Sequence, residues 1–158
     1  MGDRVVAVSK DIAAPAELVW AMVSDVTRMG EWSPETKIGE WVSGATGPTV
    51  GARFKGVNAN GDKSWTTDAT VVDADPGKRF AFNVNVGPVK VANWSYDFEP
   101  IEGGCRVTET WTDRRNPIIK ALGKPISGVA DRAQHNRQGM VDTLDRLAVA
   151  AKREAVDG

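Results

Sequence analysis

This chain has few of the side chains that commonly build disulfides, metal sites and catalytic dyads. Its 158 residues include one cysteine, Cys105, and one histidine, His135. A single cysteine excludes a disulfide within the chain and is typical of a reducing compartment, so we expect a cytoplasmic protein. The sequence contains no HExxH or CxxC motif. We therefore expect no metal site.

Long apolar runs and an excess of one charge are missing as well. The longest apolar run, residues 18–23, is too short to span a bilayer. The formal net charge of −1 gives no general reason to bind nucleic acid. Residues 44–51, GATGPTVG, lack the spacing of a dinucleotide-binding loop. We expect no nucleic-acid partner and no cofactor, and the sequence leaves the oligomeric state open.

The chain begins with a strand pattern that is followed at once by helical signals. Residues 4–12 are rich in β-branched side chains and predict a strand. Pro15 suits the first turn of a helix, because its missing N–H would be unpaired there anyway. Asp25 is placed to cap a second short helical turn, which Gly30 is expected to end. Apolar residues follow Pro15 at helical spacing: Val19, Met22, Val23 and Val26.

Short strand-like runs separated by turn signals occupy residues 36–114. Connections this short join antiparallel neighbours, so we predict a meander of about six strands. Three runs alternate clearly, which places their large side chains on shared faces. Those faces carry Phe80, Phe82, Val84 and Val86; Trp94, Tyr96 and Phe98; and Cys105, Val107, Glu109 and Trp111.

Two helices are predicted after the meander. Asn116 and Pro117 start a short helix that Gly123 and Pro125 are expected to close. A long helix from about residue 127 to 154 carries one apolar stripe, which includes Met140 and Leu144. The sequence predicts an α+β fold and one domain over residues 1–158.

This order of elements resembles the helix-grip fold of the START, Bet v 1 and polyketide cyclase superfamily. Four stretches are similar to small bacterial members of the polyketide cyclase/dehydratase (SRPBCC) family: residues 12–32 with Pro34, 69–84, 94–111 and 139–147. The resemblance implies an antiparallel sheet curled around the long C-terminal helix. It also implies an internal cavity, with the helical pair after the first strand as its floor.

The resemblance implies that the cavity binds or transports a small hydrophobic or amphipathic ligand, such as a lipid, an acyl chain or a polyketide. A cofactor-free polyketide cyclase or aromatase, and a regulatory protein with a filled core, are the alternatives. Expected ligand-binding residues are Phe82, Trp94, Tyr96, Val107, Glu109, Trp111, Met140 and Leu144. An aromatic row is also typical of an ordinary core.

Three residues carry functional groups that could take part in chemistry. Glu109 alternates with apolar neighbours and is the candidate catalytic residue, since burial would raise its pKa. It could instead pair with Arg79 or Arg53. Cys105 is interpreted as a small buried hydrophobe rather than a nucleophile, and His135 as a rim residue rather than a general base.

The segment between the meander and the long helix is a candidate gate. Ile118, Ile119 and Leu122 form its apolar part, where the resemblance places the mouth of the pocket. The segment is also basic, because Arg114, Arg115, Lys120, Lys124, Arg132 and Arg137 lie there. Residues 114–137 could therefore make a transient contact with an anionic membrane surface. A solvated basic face is the simpler interpretation.

Overall fold

A computed structural model of the chain describes residues 4–157, except for the side chains of residues 123 and 124. Its seven strands are β1 (Val5–Ile12), β2 (Thr36–Val42), β3 (Arg53–Asn60), β4 (Lys63–Asp75), β5 (Arg79–Val86), β6 (Val89–Ile101) and β7 (Gly104–Asp113). They form one antiparallel sheet in the order β1-β7-β6-β5-β4-β3-β2. The predicted six-stranded meander is therefore confirmed, and β1 joins it by pairing with β7.

Two pairs of helices accompany the sheet. Helices α1 (Ala16–Ser24) and α2 (Met29–Trp32) lie between β1 and β2, joined by a short 3₁₀ turn over residues 26–28. Helices α3 (Pro117–Ser127) and α4 (Arg132–Asp157) follow β7. This is the helix-grip architecture that the resemblance implies.

Helix α4 provides the apolar surface against which the sheet packs. Its 26 residues make it about 39 Å long at 1.5 Å per residue. One stripe of the helix is buried, and it contains Met140, Leu144, Leu147 and Ala151. Fully burying one such large apolar side chain contributes about 1.5–3 kcal/mol. The alternating large residues of β5, β6 and β7 belong to the same buried core as this stripe.

The predicted end of the second helical turn at Gly30 is wrong, because Gly30 lies inside α2. Asp25 does cap the preceding turn, since its Oδ1 accepts the N–H of Thr27 at 3.1 Å. A side chain at Gly30 would collide with the backbone carbonyl of Lys37. The glycine is thus explained by the close approach of α2 to β2 rather than by helix termination.

The predicted boundary between the last two helices is also wrong. Gly123 and Pro125 lie within α3, which continues to Ser127 and ends before Gly128, whose φ is +75°. A glycine in a helix costs about 1 kcal/mol and a proline about 3 kcal/mol relative to alanine, so these two residues weaken α3 without ending it. Helix α4 begins at Arg132, not near residue 127, and the Asp131 side chain caps it by accepting the N–H of Gln134 at 3.1 Å.

Candidate functional site

A cavity of about 400 Å³ lies between the sheet and helices α2, α3 and α4. Its volume falls within the range of about 300–1,000 Å³ that is typical of small-molecule sites. Most of the wall is apolar, and its large side chains include Trp32, Phe54, Phe82, Trp94, Trp111 and Met140. The helical pair contributes to the wall through Val23, Met29 and Trp32.

The cavity reaches the surface at one end of the sheet. The β3–β4 and β5–β6 turns lie at this end, and β7 finishes there, because the neighbouring strands are antiparallel. Helix α3 begins four residues after β7, so it lies at the same end. Its residues Ile119 and Leu122 belong to the cavity wall, together with the partly exposed His135. We call this end the mouth.

Glu109 is the buried carboxyl of the cavity wall, with 3% of its surface exposed. It lies on β7 directly opposite Tyr96 on β6. The hydroxyl of Tyr96 donates a hydrogen bond to Oε2 of Glu109 at 2.8 Å. The other carboxyl oxygen, Oε1, has no hydrogen-bond partner among residues 4–157. One oxygen of the carboxyl group is therefore hydrogen-bonded to a described residue and the other is not.

Burial raises the pKa of Glu109 from 4.5 to about 8, although the hydrogen bond from Tyr96 acts in the opposite direction. Burial and the nearby Glu109 also raise the pKa of Tyr96 well above 10. Glu109 does not pair with Arg79, whose guanidinium binds Asp97 at 2.8 Å and Asp73 at 3.0 Å. At neutral pH the carboxyl is mostly protonated, so the site presents a neutral acid.

A group of polar side chains, the mouth cluster, joins three elements at the mouth. It consists of Glu35, Ser127, Arg132 and His135. Nη1 of Arg132 donates to both carboxylate oxygens of Glu35, at 2.9 Å each, and its Nη2 donates to Ser127 Oγ at 2.7 Å. Nε2 of His135 lies 3.0 Å from Glu35 Oε2. The cluster ties the start of β2 to the adjoining ends of α3 and α4.

Sequence analysis did not identify the mouth cluster or the buried amide Asn58. Oδ1 of Asn58 accepts a hydrogen bond from Thr36 at 2.8 Å, and its Nδ2 donates to Thr67 at 3.2 Å. Glu35 and Arg132 are 97 positions apart and no motif links them. Alternation along β3 is the signal that could have found Asn58, since Phe54, Gly56 and Asn58 share the buried face.

The structure places most of the predicted ligand-binding residues on the cavity wall. These are Phe82, Trp94, Tyr96, Glu109, Trp111 and Met140. Val107 and Leu144 are instead fully buried in the core, outside the cavity wall. Of the gate residues, Ile119 and Leu122 are on the wall, whereas Ile118 is 74% exposed and points away from it.

The lone cysteine and histidine have different environments. Cys105 is completely buried among apolar residues, and burial raises the pKa of its thiol. A buried thiol with a raised pKa is a poor nucleophile. His135 lies at the mouth beside Glu35, so its position is that of a rim residue.

Several charges in the basic segment are paired. Arg115 binds the buried carboxylate of Asp113 at 2.9 Å, and Lys120 lies 3.7 Å from it. Arg132 is occupied by Glu35. Lys124, which contributes to the predicted basic face, has a side chain outside the described residues. No helix in the described part of the chain has both the length and the apolar character needed to cross a bilayer.

Comparisons with known proteins agree with this architecture. A family model described as polyketide cyclase/dehydrase and lipid transport matches residues 3–152. No curated protein matches the sequence. A polyketide-cyclase-like protein from Corynebacterium glutamicum is similar at 32% identity and a TM-score of 0.57, over 94% of this chain and 89% of the other.

Two further solved structures share the fold at low sequence identity. A protein from Nitrosomonas europaea is 14% identical with a TM-score of 0.69, and the match covers 95% of each chain. The di-domain ARO/CYC protein StfQ from the steffimycin biosynthetic pathway is 14% identical with a TM-score of 0.74. That match covers 96% of this chain and 51% of StfQ. At such identities the likeness concerns the fold alone.

Proposed function

The chain belongs to the polyketide cyclase/dehydrase and lipid transport family, and we propose that it binds a small, largely apolar ligand of lipid, acyl or polyketide type. The observation that carries this proposal is the cavity of about 400 Å³, which has an apolar wall and one buried carboxyl. A few well-placed polar groups within an apolar wall are typical of ligand sites.

Packing density supports a binding role for the cavity. Protein interiors leave few voids larger than one water molecule, which occupies about 30 Å³ in the liquid. The present cavity is on the order of ten times larger, although the chain has ample Trp and Phe to fill it. A regulatory protein with a filled core, one of the expected alternatives, is not supported by this space.

The position of Gly139 adds a second argument. It lies in the middle of α4, where glycine costs about 1 kcal/mol relative to alanine. A β-carbon there would meet only Pro34, at an ordinary contact distance of 3.5 Å. Close packing therefore does not require the glycine. Gly139 belongs to the cavity wall, so the missing side chain leaves space for a ligand.

Native mass spectrometry of the freshly purified protein tests the proposal. We expect a bound small molecule in the wild type and in the matched control Gly139→Ala. Gly139→Leu projects a larger side chain from the cavity wall, so it should lower the occupancy. A wild type that retains no small molecule and takes up no apolar probe in calorimetry would contradict ligand binding.

A polyketide cyclase or aromatase is the second candidate, and the buried pair of Glu109 and Tyr96 favours it. A neutral carboxylic acid with a pKa of about 8 can both give and accept a proton near neutral pH. The hydroxyl of Tyr96 would hold the acid in place. Turnover of a poly-β-ketone thioester that Glu109→Gln abolishes, while ligand binding persists, would support an enzyme.

The proposed location is cytoplasmic. Its support is the single, buried Cys105, since a reducing compartment disfavours disulfides. Fractionation of the cells that produce the protein tests this location.

A further inference from the structure

Helix α3 covers part of the cavity without burying a large apolar face of its own. Ile119 and Leu122 belong to the cavity wall, but Ile118, Leu122 and Ile126 are each at least half exposed. Among the α3 side chains that the structure describes, only that of Ser127 at the end of the helix is buried. Burial of apolar surface therefore contributes little to holding α3 in place. Polar contacts take a larger part in it.

Arg132, the first residue of α4, makes such contacts. Its guanidinium donates to both carboxylate oxygens of Glu35, just before β2, and to the hydroxyl of Ser127 at the end of α3. It also lies over the ring of Trp65 on β4, 5.9 Å from the ring centroid. One side chain thus joins the end of α3 to two strands. The Arg132 and Glu35 side chains are 14% and 23% exposed, so water screens this pair less than a surface pair.

The corner between α3 and α4, residues 128–131, has the backbone of a hinge. Gly128 follows α3 directly and has a φ of +75°, a conformation that glycine adopts readily. Hinges are commonly a few residues at the end of an element. Asn60, at the end of β3, donates to the carbonyl oxygen of Ser127 at 2.8 Å. Side chains on both sides of the corner therefore fix it against the sheet.

We propose that Arg132 is a positioning residue that holds α3 over the cavity and thereby sets how fast a ligand enters and leaves. Opening breaks the bonds of Arg132 to Glu35 and Ser127, and α3 then moves about the corner at Gly128. This inference rests on the proposed binding function and adds the control of ligand exchange.

This role has a kinetic signature of its own. The bonds of Arg132 lie within the protein, so they hold α3 in both the free and the loaded state. Weakening them lowers the cost of opening equally in the two states. Entry and exit both pass through the open form, so both rate constants rise by the same factor and the Kd stays nearly constant. A residue that only contacts the ligand would change the release rate and the affinity together.

Stopped-flow fluorescence with N-phenyl-1-naphthylamine, a small uncharged apolar probe, measures both rate constants. The variants are Arg132→Gln and Glu35→Gln, and Arg28→Gln is the matched control. Arg28 is also bound by two carboxylates, those of Glu31 and Glu154, and it also lies over a tryptophan ring, at 5.0 Å. Its partner Glu154 is near the C-terminal end of α4, far from Arg132 at the other end.

Arg132→Gln should raise the association and dissociation rate constants of the probe by about tenfold each, which is the scale of one hydrogen bond to a charged group. Glu35→Gln should raise both by less, because an amide oxygen still accepts one bond from Arg132. Arg28→Gln should leave both unchanged. Amide hydrogen exchange over residues 117–127 of the free protein should become faster in Arg132→Gln and not in Arg28→Gln.

The outcomes separate this inference from the proposed function. A wild type that binds no probe contradicts the binding function, and this inference falls with it. Probe binding with the same two rate constants in the wild type and Arg132→Gln overturns the inference alone. Faster release with weaker affinity and unchanged association also overturns it, since Arg132 is then a ligand contact. Should Arg132→Gln fail to fold, Glu35→Gln against Arg28→Gln decides by the same criteria.

Discussion

Replacing Glu109 with glutamine should change how the stability of the protein depends on pH. The pKa of this carboxyl is raised from 4.5 to about 8 by burial. A group whose pKa is higher in the folded state takes up a proton on folding at any pH between those two values. Its stabilising contribution is complete below the unfolded pKa and is lost as the pH rises through the folded pKa. The Gln variant has no such proton.

The size of the effect follows from the pKa values. Between them, each pH unit changes the free energy of unfolding by about 1.4 kcal/mol. From about pH 4.5 to about pH 7, the wild type should lose on the order of 3 kcal/mol relative to Glu109→Gln. That is a large share of the roughly 5–15 kcal/mol by which domains are stable. The amide group of the glutamine also leaves an unpaired donor. This changes the stability difference between the two proteins by the same amount at every pH, so it does not change how that difference varies with pH.

Urea denaturation at a series of pH values, followed by tryptophan fluorescence, measures the difference between the two proteins. All other titrating groups are common to both, so their contributions cancel. Glu102→Gln removes a carboxyl that is exposed in the folded chain and serves as the control without this slope. A difference between the wild type and Glu109→Gln that stays constant from about pH 5 to about pH 7 would refute the buried neutral acid.

Three further predictions concern the mouth and helix α4. If α3 is a gate, replacing Ile119 and Leu122 together by serine should speed ligand release, and bound ligand should slow amide hydrogen exchange over residues 116–126. An unchanged release rate, together with equal protection in the free and bound protein, would show that α3 is a static cover and not a gate. Gly139→Ala should raise the free energy of unfolding, measured by urea denaturation, by about 1 kcal/mol. The added methyl group meets only Pro34, at 3.5 Å. A loss of stability would show that the position does not tolerate a side chain. If residues 114–137 contact membranes, the protein should sediment with anionic vesicles but not with neutral ones. Ile118→Ser, which alters a residue that is 74% exposed, should weaken the binding to anionic vesicles. Equal sedimentation with anionic and neutral vesicles would contradict an electrostatic contact.

Local sequence signals determined the order and type of the elements. Pro15 precedes α1, Asp25 caps the turn after it, and glycine-containing turns separate the strands of the meander. Alternation placed Tyr96 and Glu109 each on the buried face of its strand. These signals work because turn geometry, capping and face periodicity depend on residues only a few positions apart.

The helix boundaries were predicted wrongly where tertiary contacts, and not local helix propensity, explain the residue that is present. Gly30 and Gly123 were interpreted as helix ends because glycine is a weak helix former, yet both lie inside helices. For Gly30 the cause is the neighbouring carbonyl of Lys37, which leaves no room for a side chain. A sequence shows that a glycine is present, but not whether the chain needs its flexibility or its small size.

The contact between Tyr96 and Glu109 shows what can be worked out from the sequence and what depends on the tertiary structure. A two-residue turn between β6 and β7 sets these residues opposite each other, so the register could have been worked out from the turn. The absence of a hydrogen-bond partner for Oε1 within the described residues could not be worked out in this way, because it depends on every element packed around β7. The pairing of Glu35 with Arg132, 97 positions later, likewise exists only once β2 and α4 meet. Burial and long-range pairing are properties of the assembled core, and they decide whether a carboxyl is an ion in water or a neutral acid in a cavity wall.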